Sequence, residues 1–221
     1  MNTELAIVIP TWQAAASLPA TLECLREWPA PIVVADAESP DGTAAVAEAC
    51  GAQVVQAPRG RGAQLIAGAA AAPPSAWLLF LHADTRLEPG WAEAARRFMA
   101  EGPGVAHFAF ALDDDAPPAR RLERAVAWRC RALGLPYGDQ GLLIHRSLYE
   151  AVGGYRPLPL MEDVDLILRL RPHRPIALPA RAVTSAEKWR RQGYLRRSAR
   201  NLLFLSAWFA GVPPRLLARW Y

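Results

Sequence analysis

The chain has 221 residues, 52% of them hydrophobic, enough to bury a real core and too apolar for a disordered tail. Its formal charge of +4 hides a split, with −8 over residues 1–115 and +12 over residues 116–221. An acidic front half argues against a general nucleic-acid binder, whereas the basic back half suits phosphates, an anionic membrane surface or a solvated helix face.

Residues 5–9 (LAIVI) read as a first strand ending at Pro10-Thr11, too short and without the basic flank of a signal peptide. Ser17 is placed to cap a helix whose Leu18, Leu22 and Leu25 share one face. A second strand over 31–35 ends at Asp36, and Asp41 is placed to cap an alanine-rich helix running to Cys50. Residues 53–55 form a short third strand. After Pro58-Arg59-Gly60-Arg61-Gly62 a helix is expected to about Ala72, stopped by Pro73-Pro74. Residues 77–81 (WLLFL) read as a strand buried on both faces that delivers Asp84 to the C-terminal sheet edge, where open α/β folds place their ligands. This alternation predicts a parallel sheet covered on both faces, with Thr11, Asp36, Arg59, Arg61 and Asp84 on one rim.

No GxGxxG follows the first strand and no GxxxxGK[ST] occurs, so a dinucleotide cofactor or a P-loop is not supported. Gly60-Arg61-Gly62 reads either as a diphosphate cradle or as ordinary turn chemistry. A helix carrying Trp91, Arg96 and Phe98 precedes a strand over 105–110. Asp113-Asp114-Asp115 is read as a solvated loop rather than a metal site, because adjacent carboxylates point in different directions. Residues 119–133 form an arginine-rich amphipathic helix ending at Gly134. In Tyr137-Gly138-Asp139-Gln140-Gly141, before a strand over 142–144, the bracketing glycines mark either close backbone approach or a tight turn.

Met161-Glu162-Asp163-Val164-Asp165 opens a helix, its carboxylates suiting the macrodipole or supplying a general base. Residues 187–200 are basic with interleaved aromatics, and 201–221 are rich in Leu, Phe, Trp and Tyr. The run over 202–212 is shorter than the ~20 residues of a spanning helix. A helical hairpin broken at Gly211-Val212-Pro213-Pro214 has three readings: packing on its own domain, on a second copy, or on a membrane surface. Three scattered cysteines form no disulfide or zinc pattern, so a reducing, cytoplasmic compartment is expected.

The motifs IVIPTW, the Asp36 strand end with SPDGT, FLHADT, GDQG and PLMEDVDL together resemble a family 2 glycosyltransferase of the GT-A fold. In order, GRGAQ, LPYGDQG, PLMEDVDL and TSAEKW are similar to the small bacterial "transferase 2, radical-SAM/selenodomain-associated" group, also labelled arsenosugar-biosynthesis glycosyltransferases. The resemblance implies one α/β domain over 1–221. It comprises a nucleotide-sugar-binding half (1–115), an acceptor and catalytic half (116–193) and a helical tail (194–221). It further implies a UDP- or GDP-sugar donor, Mg²⁺ or Mn²⁺, and a small or lipid-linked acceptor.

Residue by residue, the resemblance implies that Asp36 accepts a hydrogen bond from the base beside the Pro10-Thr11 loop. Asp84 stands at the last acidic position of the DxD motif and holds the metal. Where that motif has its first carboxylate this chain has His82, either a softer metal ligand or a ribose contact. Asp163, with Glu162 beside it, is the implied base for single displacement with inversion. Arg59, Arg61, Gln64, Lys188 and Arg190 are the implied donor contacts, and Asp139, Gln140, Gly141 and Trp189 the acceptor contacts. Only Lys188-Trp189-Arg190 stands where processive members have QxxRW, so a single transfer is expected. The alternatives are a sugar-nucleotide nucleotidyltransferase and a catalytically weak nucleotide-sugar binding protein. A peripheral position at the inner membrane face, or a homodimer through the tail, is the remaining expectation.

Overall fold

The computed structural model describes residues 3–171 and 173–220, so Tyr221 of the apolar tail lies outside the described residues. Among them, β1 (Thr3–Thr11), β2 (Ile32–Asp36), β3 (Gln53–Gln56), β4 (Ser75–Phe80), β5 (Thr85–Leu87), β6 (Val105–Leu112), β7 (Leu142–His145) and β8 (Ile176–Thr184) form one sheet. Its order is β3-β2-β1-β4-β7-β6-β8-β5. β1 is parallel to β2 and β4, β2 to β3, and β6 to β8. β7 runs against β4 and β6, and β5 against β8, so the sheet is mostly parallel with two reversed strands.

Both sheet faces are covered, as strand periodicity requires. In β1, Leu5, Ile7 and Ile9 point to a core completed by α1 (Leu18–Leu25), α2 (Thr43–Ala49) and α4 (Trp91–Ala100). Ala6 and Val8 point the other way, toward α3 (Arg61–Ala71), α6 (Arg146–Ala151) and α7 (Glu162–Arg169). A smaller core under α5 (Pro117–Leu133) joins Phe110 and Leu112 to Val126, Cys130 and the half-buried Trp189 and Tyr194.

Local signals differ from expectation in a few places. Ser17 occupies the N-cap of α1 but its hydroxyl donates to the Ala14 carbonyl instead of accepting from the helix. Asp41 acts one residue before the cap: Gly42 takes the left-handed turn, and Asp41 Oδ1 accepts from the Thr43 N–H and hydroxyl. β5, β8 and α6 had no counterpart in the sequence reading. β8 contains Pro179, which cannot donate to a ladder, and the β6–β8 register shifts at that point, between Phe108 and Ala109.

After α8 (Glu187–Gln192) come α9 (Tyr194–Phe209) and α10 (Pro214–Leu217), broken where the Gly-Val-Pro-Pro run predicts. The tail packs on its own domain through one side only: Phe204 and Leu205 are buried, while Leu195, Leu202, Leu203, Phe209, Leu216 and Trp220 are exposed. Among the described residues, no helix is long and apolar enough to cross a membrane.

Candidate active site

A cleft of about 540 Å³ opens beyond the ends of β1 and β4, bounded by the starts of α3 and α7, the 3-10 turn Gly138–Gln140, α8 and the inner side of α9. It brings together Pro10, Thr11, Arg61, Gln64, His82, Asp84, Asp139, Glu162, Asp163, Lys188 and Trp189. Asp36, Arg59, Gln140, Gly141 and Arg190 do not line it. Each of those five is occupied elsewhere.

Asp36 is buried at the end of β2. Its Oδ1 accepts from the hydroxyls of Thr11 and Ser39, both at 2.7 Å, and Oδ2 from the Ser39 N–H at 2.7 Å. Arg59 stacks on Trp12, 4.1 Å above the ring. The two residues line a neighbouring depression with Ala37, Glu38 and Gln56, and Trp12 also borders the cleft. Gln64 donates its amide to the carbonyls of Thr11 and Ala35, tying the ends of β1 and β2 together. It shapes the floor.

At the opposite wall the GDQG turn is locked from behind. Gln140 is buried; its Oε1 accepts from Arg129 Nη2 (3.0 Å), the Tyr137 N–H (3.2 Å) and Cys130 Sγ (3.2 Å). Its Nε2 reaches the Phe108 carbonyl at 3.2 Å and lies 3.1 Å from His107 Nδ1. Arg129 also stacks 3.4 Å over the Tyr137 ring. Gly141 is in the left-handed region at φ +62°, and a Cβ added there would crowd Phe108 and Leu81. The Gln140 side chain therefore braces the turn from behind, and neither Gln140 nor Gly141, expected as acceptor contacts, lines the cleft.

In front, the turn meets the start of α7. The Gly138 N–H donates to Asp163 Oδ2 at 2.9 Å, while Asp163 Oδ1 accepts from the Val164 N–H at 2.7 Å. Asp139 is half-buried as a residue, yet its Oδ1 is enclosed and without a hydrogen-bond partner. Burial pushes its carboxyl up to about 6; Arg129 opposes this and Asp163 adds to it. His82 is held well below the ordinary histidine range by burial, then by Arg61 and Lys188, so its imidazole is neutral near pH 7.

Glu162 is buried with Arg61 Nη1 3.3 Å from its Oε1, an ion pair whose alignment falls short of a hydrogen bond. Burial raises its pKa, Arg61 opposes, and Asp163 raises it further. Met161, in the left-handed region at φ +64°, turns the chain so that α7 begins with this pair. Arg61 arrives because α3 starts hard against the chain at 156–158: a Cβ on Gly62 would collide with the Arg156 carbonyl. Asp165, the third acid of the run, is used structurally, binding Arg156 and Arg169.

Lys188, the one lysine of the sequence, lines the opening. Arg190 turns away toward Asp113 and Asp114. Two acids of the triplet are anchors: Asp113 Oδ1 accepts from the Ala186 N–H and Asp114 Oδ2 from the Tyr194 hydroxyl, both at 2.6 Å, tying down α8 and α9, while the exposed Asp115 pairs with Arg120. Trp12, Tyr137, Met161, Arg197 and Asn201 also line the cleft and were missed. For Arg197 and Asn201 the signal was their four-residue spacing on one helix face, next to the basic run.

Among the described residues, no three His, Cys, Asp or Glu side chains converge as a self-sufficient metal cage. The donor set fits a metal shared with a substrate: Asp84 offers carboxylate oxygen, His82 a neutral imidazole, and phosphates commonly complete the shell of Mg²⁺. Arg61 and Lys188 share the cleft with Asp84 and Asp163, and cations beside carboxylates suit a polyanionic ligand that must lose a charged leaving group.

The fold is shared with solved structures. Staphylococcus aureus TarS 1-349 is 16% identical with a TM-score of 0.62 over 84% of this chain and 59% of that one. Mannosyl-3-phosphoglycerate synthase from Rubrobacter xylanophilus is 20% identical, TM-score 0.56, over 83% and 65%. Glucosyl-3-phosphoglycerate synthase from Mycobacterium tuberculosis, solved with Mn²⁺, UDP and glucosyl-3-phosphoglycerate, is 17% identical, TM-score 0.55, over 83% and 70%. The chain thus spans about three-fifths of the first two. At these identities the likeness establishes the fold, which is GT-A. No curated protein sequence matches the chain. With residues 6–156 matching the Glycosyl transferase family 2 sequence profile, the chain belongs to that family.

Proposed function

We propose that this protein is an inverting glycosyltransferase that moves one sugar from a nucleotide-sugar, a UDP- or GDP-sugar, to the hydroxyl of a small or lipid-linked acceptor. The observation that carries this reading is the meeting of Asp84 and Asp163 in one cleft with Arg61 and Lys188. The UDP and Mn²⁺ held by the mycobacterial neighbour support the donor class. The order of GRGAQ, LPYGDQG, PLMEDVDL and TSAEKW supports the narrower radical-SAM/selenodomain-associated group.

In this mechanism Asp163 takes the proton of the acceptor hydroxyl as its oxygen bonds to the anomeric carbon from the face opposite the donor phosphate. The bond from that carbon to the phosphate oxygen breaks, and the nucleoside diphosphate leaves with the electron pair. Two backbone N–H groups hold Asp163 in one orientation, so it meets the hydroxyl without reorganising. Asp84, with His82 beside it, would hold Mg²⁺ or Mn²⁺, which when bound neutralises charge on the diphosphate. Lys188 and the Arg61 guanidinium add positive charge on the leaving-group side. Trp12 and Arg59 offer a flat surface for the base.

The test is transfer from a panel of UDP-, GDP- and dTDP-sugars, with nucleoside diphosphate release and product anomeric configuration read by NMR. Inverted product, and an Asp163→Asn variant that keeps donor binding but loses turnover by about 10²–10⁴-fold, are expected. Retained configuration, pyrophosphate release, or full turnover by that variant would overturn the reading.

A further inference from the structure

We infer that α9 and α10 dock this protein on the surface of an anionic lipid bilayer. In α9, Leu195, Leu202 and Phe209 recur every seven residues, about two helical turns, so they form one stripe along the helix, with Leu203 at its side. All four are exposed, Leu195 at 88%. The buried Phe204 lies on the opposite side of the helix, and Arg197 and Asn201 of the inner side line the cleft. Beyond the break, Trp220 is 81% exposed and Leu216 is exposed while Leu217 is buried. A short amphipathic segment ending in an exposed tryptophan suits the headgroup boundary.

Charge decides between occupants. Residues 188–221 carry no Asp or Glu; Lys188 and Arg197 line the cleft, Arg190 faces Asp113 and Asp114 and Arg200 donates to Gln192, which leaves the exposed Arg191, Arg196, Arg215 and Arg219 to flank the stripe. A second copy meeting this face by two-fold symmetry would set arginine against arginine. The protein's own core is already served by the other side of α9. An anionic bilayer accepts both the apolar stripe and the flanking cations. Because α9 has its inner side at the cleft and its outer side at the membrane, docking would hold the site beside the headgroups, where a lipid-linked or amphiphilic acceptor would be found. The inference rests on exposure and charge, so it stands or falls separately from the glycosyl-transfer reading.

The experiment is co-sedimentation of the full chain with vesicles of phosphatidylcholine alone or mixed with phosphatidylglycerol, at low and high salt, beside sedimentation equilibrium without lipid. Expected is binding to the mixed vesicles at low salt, weakened by salt. Roughly tenfold or greater loss is expected in Leu195→Gln/Leu202→Gln/Phe209→Gln and separately in Arg215→Glu/Arg219→Glu. These residues lie outside the cleft, so circular dichroism and the thermal shift by UDP and Mn²⁺ serve as folding controls. Absence of binding to the mixed vesicles, undiminished binding by both variants, or a lipid-free dimer that the triple variant converts to monomer would overturn it.

Discussion

Gly138 holds Asp163 through its backbone while giving room to His82: its N–H donates to Asp163 Oδ2 at 2.9 Å, and a Cβ added there would stand 2.7 Å from His82 Nε2. A glycine in the GDQG turn thus couples the proposed base to the residue beside the proposed metal ligand. Gly138→Ala is expected to displace the imidazole, the movable end of a side chain, with little loss of stability. Turnover should fall about tenfold, equivalent to ~1.4 kcal/mol of transition-state binding. Steady-state kinetics beside a urea melt separates the two effects.

Asp139 predicts a pH signature. Its folded pKa, about 6, lies above its unfolded value, so between roughly pH 4 and 6 the native state binds more protons than the unfolded one. This group's contribution to stability is therefore present at the acid end and lost as pH rises through about 6. Asp139→Asn should remove that decline and raise the melting temperature above pH 6 in the metal-free protein. About 1 kcal/mol would appear as ~2–4 °C in a chain of this size. A variant whose melting profile parallels the parent across pH 4–7 would sink the assignment.

Metal dependence should follow Asp84 more than His82. Because a ligand stabilises by mass action, UDP with Mn²⁺ is expected to raise the melting temperature, and EDTA to remove most of the rise. Asp84→Asn should reproduce the EDTA result with Mn²⁺ present, while His82→Ala should retain part of it. Equal thermal shifts for parent and Asp84→Asn across a Mn²⁺ titration would rule out Asp84 as the anchor.

Arg61 and Glu162 test a buried charge. Arg61→Ala leaves the Glu162 carboxylate enclosed without its counter-charge and is expected to cost on the order of 1–3 kcal/mol, because Arg61 is itself half-exposed to water. Glu162→Gln removes the charge that needs a partner and should cost less. In the double variant most of the Arg61→Ala loss should disappear. Equilibrium unfolding of the three variants gives the coupling directly.

Much of the fold was legible because its signals are local. The apolar runs before Thr11, Asp36 and Asp84, with helical patterns between them, place strands alternately with helices in any context that buries them. The acidic opening of α7 and the break before α10 were equally plain. β8 was not legible, since Pro179 interrupts it and its pairing with β6 is a long-range choice whose register shifts at that point.

By itself the sequence determined the α/β order, the carboxylates at strand and helix ends, and a cationic tail without acids, because periodicity, caps and charge are read from neighbours in the chain. Only the tertiary structure decided which of those groups share a space. It spent Asp165 on two arginines, Asp113 and Asp114 on anchoring α8 and α9, and Gln140 on bracing the turn from behind. It left Asp84, Asp139 and Asp163 facing one cleft. Identical carboxylates acquire different roles through burial and the donors that reach them, and those are set by segments far apart in sequence that the sheet brings to one edge.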